Sequence, residues 1–137
     1  MDLELFKMII DQCAQENIFS IRLSFRGEVF IHPNIVDIIK YAKKKGIREV
    51  SILTNNLALT PEKFEDVMKA GLDWLTISFD GTNETYEPIR KPAIFAESYK
   101  KIKDYKKIKE RNHSIKPVIR IQSVWPDSAH YGKCLPI

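Results

Sequence analysis

The sequence predicts an α/β protein: an open, parallel four-stranded sheet with helices on one face, the arrangement of a partial (β/α) barrel. Three observations predict it. Helical and strand-like stretches follow one another as helix, then strand–helix three times, then strand, an order that produces parallel sheets with right-handed crossovers. The strand-like stretches are short apolar runs between turn signals, as in strands buried on both faces. The first three recur about every 25 to 31 residues, the rhythm of a βα-barrel. A complete eight-fold barrel takes about 250 residues, so the 137 residues here hold roughly half of one. An open half leaves two sheet edges exposed to pairing. The chain therefore reads as a piece of a larger barrel, or as a piece that self-associates through those edges.

Each element has its own signal. Leu3–Gln15 is a helix because Leu3, Phe6, Ile9, Ile10 and Cys13 repeat at three and four residues and mark one apolar face, and Asn17 can end it. Ile18–Phe25 is the first strand and gives way to Arg26-Gly27-Glu28. Pro33 and Asn34 start a second helix, Ile35–Lys45, which turns Ile35, Ile38, Ile39 and Ala42 inward and stops at Gly46. Glu49–Thr54 is the second strand, followed by Asn55-Asn56. Thr60 is an N-cap with Pro61 at the first helical position and Glu62 in the first turn, and this helix runs to Ala70 before Gly71. Trp74–Phe79 is the third strand. A long loop is expected from Asp80-Gly81 to Pro92, then a helix from Ile94 to Arg111, then a fourth strand, Pro117–Val124. These elements make one domain over 1–125, and the prolines and lack of periodicity in 126–137 predict an irregular tail.

Composition narrows the class. Hydrophobic residues at 44% and charged residues at 29% are ordinary for a soluble globular protein. The apolar runs are too short to span a bilayer, and the acidic start Met1-Asp2-Leu3-Glu4 lacks the basic region of a signal peptide. A cytoplasmic location without a membrane partner is expected. Cys13 and Cys134 lie far apart and form neither a metal-spaced pair nor a disulfide framework. The net charge of +4 comes largely from lysines in Lys100–Lys116. Phe95, Tyr99, Ile102, Tyr105 and Ile108 run through that stretch at helical spacing, so the lysines read as the wet face of an outer helix. No nucleic-acid motif accompanies them, and a nucleic-acid partner is not expected.

Ligands of parallel α/β sheets bind at the carboxyl ends of the strands. Those positions here are Arg26, Gly27 and Glu28; Thr54, Asn55 and Asn56; Ser78 and Asp80; Gln122 and Ser123. Four strands turn polar at the same end after apolar runs. Gly27 lets a backbone approach a ligand closely, and the set reads as a pocket for a small polar molecule.

Four segments in order, L-S-F-R-G-E-V-F-I-H-P, L-T-N-N-L-A-L, A-G-L-D-W-L-T-I-S-F-D-G and Y-E-P-I-R, resemble the radical SAM enzyme superfamily over about Leu3–Trp125. The Tyr86–Arg90 segment is most similar to the branch whose members often carry a SPASM-type auxiliary-cluster domain and modify peptides or proteins. The resemblance implies binding of S-adenosylmethionine (SAM) and, in a full-length parent, reductive SAM cleavage at a [4Fe–4S] cluster to a 5′-deoxyadenosyl radical that abstracts hydrogen from a substrate. It also implies roles. Glu28, beside Gly27, meets the SAM amino group through charge-assisted hydrogen bonds. Ser78 and Asp80 contact the ribose. Arg90 meets the methionine carboxylate, for which a guanidinium fork is suited, unless it only pairs with Glu87. Gln122 and Val124 flank the adenine, unless Gln122 only bonds a loop. Asn55 and Asn56 shape the pocket floor.

The sequence departs from the family pattern at two places. Arg26 and Val29 replace the first glycine and the proline of the family's Gly-Gly-Glu-Pro motif. The Cys-x-x-x-Cys-x-x-Cys loop is absent, so no metal ligands and no catalytic residue are expected in this chain, and Met1 falls just past where that loop would end. The reading is a fragment of a radical SAM enzyme that carries SAM-binding residues but not the cluster. The alternative is a degenerate, non-enzymatic half-barrel that binds a nucleotide or a partner chain.

Overall fold

A computed structural model of the protein describes residues 1–24 and 26–124. Helix α1 is Leu3–Gln15, strand β1 Ser20–Arg22, helix α2 Ile35–Lys44, strand β2 Glu49–Thr54 and helix α3 Pro61–Lys69. Strand β3 is Trp74–Ser78, helix α4 Asn83–Arg90, helix α5 Phe95–Arg111 and strand β4 Val118–Gln122. The sheet order is β1-β2-β3-β4, and all three pairings are parallel, as the alternation of elements predicts.

One face of the sheet carries the core. Ile21, Val50, Ile52, Leu75, Ile77 and Ile119 alternate along their strands toward it and pack in one cluster with Phe6 and Ile10 of α1, Ile35, Ile39 and Ala42 of α2, Phe64 and Val67 of α3, and Tyr105 and Ile108 of α5. The helix starts follow the local chemistry. The Asp2 side chain accepts from the Leu5 N–H at 2.8 Å, and Thr60 Oγ1 accepts from the Lys63 N–H at 3.2 Å with Pro61 at the first helical position.

The amino end of the sheet is tied by Asp73, only 3% exposed. Its carboxylate accepts from Lys43 Nζ and the Val50 N–H, each at 2.8 Å, and from Lys116 Nζ at 2.5 Å. These bonds join α2, β2, the entry to β3 and the approach to β4. Burial alone raises the Asp73 pKa. The bonds from Lys116, Lys43 and Val50 outweigh it and hold the carboxyl below its ordinary value of 3.8.

Two expectations about elements change. The first strand is short, Ser20–Arg22 rather than Ile18–Phe25. It is a sheet edge, and at Ser24 a side chain takes over from the ladder: Ser24 Oγ accepts from the Leu53 N–H at 2.8 Å. The expected loop before Pro92 contains helix α4. Pro88 and Pro92 mask it in the sequence, but Thr82 and Thr85 form a reciprocal cap at its start. Phe79 and Tyr86, with Phe95 of α5, then pack into an aromatic cluster that fixes the helix against the sheet. The 126–137 tail lies outside the described residues.

Three lysines of α5 make contacts within the chain. Lys101 Nζ donates to the carbonyls of Asn56 at 3.1 Å and Leu57 at 2.9 Å, Lys107 pairs with Asp104, and Lys103 lies over the Tyr99 ring. Among the described residues no helix is long and apolar enough to cross a membrane.

Candidate functional site

The carboxyl ends of the strands gather two polar clusters. The first is centred on Glu28, which caps the short turn Val29–Ile31 by accepting from the Phe30 N–H at 3.2 Å. The same oxygen, Oε1, accepts from Thr54 Oγ1 at 2.7 Å, and Oε2 accepts from the Asn55 N–H at 2.8 Å. Glu28 is half-buried, and its hydrogen bonds leave one acceptor position open on Oε2. Gly27 precedes it at φ +81°, a left-handed conformation that disfavours any side chain. Asn55 is fixed by its own Oδ1, which accepts from the Leu57 N–H at 2.9 Å. Asn56 turns the other way: it is fully buried, and its Oδ1 accepts from the Tyr105 hydroxyl at 2.8 Å. It anchors α5 beneath the loop, so of the two asparagines only Asn55 stands beside Glu28.

The second cluster is at the end of β3. Ser78 and Gln122 are in register on neighbouring strands. Phe79 N–H donates to the Gln122 carbonyl at 2.8 Å, and Ser123 Oγ donates to the Phe79 carbonyl at 2.6 Å, which extends the β3–β4 pairing beyond the strands. Asp80 is 2% exposed. Its Oδ1 accepts from the Val124 N–H at 2.6 Å and its Oδ2 pairs with Arg90 Nη2. Arg90 therefore pairs with Asp80 and not with Glu87, which instead accepts from the Phe95 N–H. The guanidinium keeps one buried donor, Nε–H, without a partner among the described residues. The Val124 side chain is exposed above this cluster.

A cavity of about 860 Å³ opens beside the first cluster, between α1 and the β1 edge. Gly27 and Glu28 line it along with Phe6, Ile10 and Ile35, and it does not reach Ser78, Asp80 or Arg90. Arg26 is exposed at its rim.

The sheet face opposite the core carries a further set. Alternation puts Arg22, Ser51, Trp74 and Val118 in one layer across the four strands and Leu53, Thr76 and Arg120 in the next. Trp74 Nε1 donates to Glu49 Oε2 at 3.0 Å, and the Arg120 guanidinium lies 4.9 Å from the centre of the Trp74 ring. Reading only the strand ends missed these residues. The signal available was the alternation Val118, Arg120, Gln122, Val124, which puts an arginine on the same face as the expected site residues.

A parallel βα sheet with one face left open by the described residues, and polar clusters at its carboxyl ends, has the architecture of a partial βα-barrel. The sequence model of the radical SAM superfamily matches residues 1–120, and the chain belongs to that superfamily. It is 28% identical over 144 aligned positions to a GTP 3′,8-cyclase of Desulforamulus reducens, covering all of this chain and 43% of that one. It is 38% identical over 65 residues to the AdoMet-dependent heme synthase of Methanosarcina barkeri, covering 47% of this chain and 18% of that one. A tungsten-containing aldehyde ferredoxin oxidoreductase cofactor-modifying protein of Pyrococcus furiosus is 29% identical over 126 residues, 90% of this chain and 35% of that one. The chain thus spans less than half the length of these relatives. The crystal structure of BtrN in complex with AdoMet and 2-DOIA has the same fold, with a TM-score of 0.63 at 17% identity over 90% of this chain and 44% of that one.

The family works with SAM and a [4Fe–4S] cluster. A cluster needs several thiolates. Among the described residues the free cysteine is Cys13, and no three His, Cys, Asp or Glu side chains are grouped to hold a metal ion. The described residues do not fit the cluster.

Proposed function

We propose that this chain supplies part of the SAM-binding wall of a radical SAM protein. The observation that carries the reading is Arg90. Asp80 clamps its guanidinium at the end of β3, and a buried Nε–H is left without an acceptor. A buried donor without a partner is costly, and a ligand carboxylate removes that cost by accepting from it.

The remaining residues fit the rest of the cofactor. Glu28 offers the open position on Oε2 to an ammonium group, with Gly27 and the Asn55 backbone beside it. Ser78 and Gln122 lie side by side and offer a hydroxyl and an amide to a ribose and an adenine, and the exposed Val124 side chain offers an apolar contact to the base. Asp80 acts as a positioning residue: it holds Arg90 and the Val124 backbone while turned away from solvent. In that family, bound SAM would supply a 5′-deoxyadenosyl radical for hydrogen abstraction. This chain's residues bind and orient that cofactor, and the described residues do not hold the cluster. The relatives' names cover different reactions, so the reading extends to the cofactor and not to a substrate. Placement in the SPASM-associated branch, with a peptide or protein substrate, stays part of our reading on the strength of the Tyr86–Arg90 segment.

Calorimetric titration of the full chain with S-adenosylhomocysteine tests this. Saturable binding is expected, weakened about tenfold in Arg90→Met, the loss that follows from about 1.4 kcal/mol. Absence of binding at millimolar ligand, or equal affinity in the variant, would refute the assignment.

A further inference from the structure

The bare face of the sheet holds a second, separate constellation. Glu49, Trp74 and Arg120 come from three adjacent strands and form a stack: the Glu49 carboxylate accepts from the indole N–H, and the indole carries the Arg120 guanidinium on its face. The arrangement is built for display. The hydrogen bond restrains the ring, and the ring supports the guanidinium above it. A guanidinium stacked on an aromatic face keeps its in-plane N–H donors free for another partner. Arg120 is exposed, and among the described residues it has no carboxylate partner. Arg22 stands on the same face from β1, also exposed and without an ion pair among the described residues. The two arginines are three strands and one layer apart, about 16 Å at the usual strand spacing of about 4.8 Å and rise of about 3.3 Å per residue. One negative charge, on Glu49, lies between them, so the three groups together carry a net +1.

We propose that the Glu49–Trp74–Arg120 stack, faced by Arg22, recognises an anionic group, a phosphate ester or a carboxylate, on the substrate of this protein. The inference rests on the reading of the strand ends as the cofactor site. The stack lies on the strands that end in that site: Gln122, which is in register with Ser78, is two residues beyond Arg120 on the same face. A substrate held by Arg120 is thereby brought beneath the cofactor with its far end free to reach it. The planar, forked donors suit a bidentate oxyanion better than a lone point charge does.

Trp74 provides the readout. The chain has two tryptophans, and Trp125→Phe leaves Trp74 as the sole indole. In that background, fluorescence is followed while sodium pyrophosphate or sodium tricarballylate is added at constant ionic strength, with potassium chloride as control. A saturable change is expected with at least one of the two anions, and the one that acts at lower concentration identifies phosphate or carboxylate as the preferred group. Arg120→Gln weakens it about tenfold, a loss of the order expected for one charge-assisted bidentate contact. Arg120→Lys recovers part of the loss. Glu49→Gln keeps an acceptor for the indole, removes the opposing charge and tightens binding. Far-UV circular dichroism and the urea midpoint confirm that each variant is folded. Lys106→Gln, exposed on α5 against the opposite face of the sheet, leaves anion binding unchanged. A response no larger than that to potassium chloride, or one that is equal in Arg120→Gln, overturns the proposal. If S-adenosylhomocysteine still binds in that case, the cofactor reading stands and the substrate inference alone has failed. If the anions bind and S-adenosylhomocysteine does not, the cofactor reading is the one that fails.

Discussion

The Asp80–Arg90 pair is the joint on which the cofactor reading turns, and a double-mutant cycle measures it. Asp80 is almost wholly buried, while the Arg90 side chain keeps 26% of its surface in solvent. Truncating one partner of a fully buried pair costs about 3 to 5 kcal/mol, and the partial exposure of Arg90 lets water recover part of that. Asp80→Ala also strips the Val124 N–H of its acceptor, a loss of about 1 kcal/mol for a group close to the surface. Together these give about 2 to 4 kcal/mol for Asp80→Ala. Arg90→Met leaves a buried carboxylate with one backbone donor, and about 2 kcal/mol is expected. In the double variant the carboxylate and the cation are both gone, so its loss should fall short of the sum by about 1 to 2 kcal/mol. Urea unfolding at pH 7, followed by far-UV circular dichroism, provides the four free energies. Losses that add within about 0.5 kcal/mol would mean that the two side chains are energetically independent. Arg90 would then lack its positioning partner, and the account of its directed Nε–H would fall with it.

Two further perturbations test the frame that holds the site. Asp73 has a folded pKa below its ordinary 3.8, so its contribution to stability is complete above about pH 4 and disappears as the pH falls through the folded value. The stability gap between the parent chain and Asp73→Asn, about 2 kcal/mol at pH 7 from the disrupted lysine pairs, should therefore narrow below pH 4; a gap of constant size from pH 7 to pH 3 would contradict the assignment. Gly81 lies at φ +112°, and a Cβ there would collide with the Thr85 side chain that caps α4. Gly81→Ala should cost about 2 kcal/mol or more in urea unfolding and weaken S-adenosylhomocysteine binding through α4, and a cost under about 0.5 kcal/mol would remove that constraint.

The fold was legible because its signals are redundant. Each central strand is an apolar run, each of the first three helices begins or ends on a recognisable cap or glycine, and the repeat length admits only crossover connections. Where one signal stood alone, tertiary context decided. The Ile18–Phe25 run has enough β-forming residues for a full strand, yet as an edge strand it gains hydrogen bonds on one side only and leaves the ladder at Ser24. Helix α4 has an interior proline that argues against a helix. What overrides it is the packing of Tyr86 on Phe79 and Phe95, contacts made across element boundaries that neither helical nor strand periodicity reveals.

The site was legible in position and not in pairing, and the reason is physical. Strand ends of a parallel sheet must leave the core, so polar residues there are visible as a pattern of types. Which of them faces a ligand depends on how many of their hydrogen bonds the protein itself takes. Glu28 gives its carboxylate to Phe30, Thr54 and Asn55 and retains one open position; Asp80 gives both oxygens to Val124 and Arg90. Two carboxylates that look equivalent in the sequence therefore differ in kind: among the described residues one keeps an open acceptor position and the other is closed by the chain's own donors. The same reasoning reaches the bare face. Arg120 and Arg22 are ordinary basic residues in the sequence, and only the register of β1 to β4 shows them sharing a face with the indole between them. On the proposed reading, an arginine displayed on tryptophan, on the strand that ends beside Ser78 and Asp80, would tie the choice of substrate to the geometry of the cofactor site, because any shift of β4 moves both together.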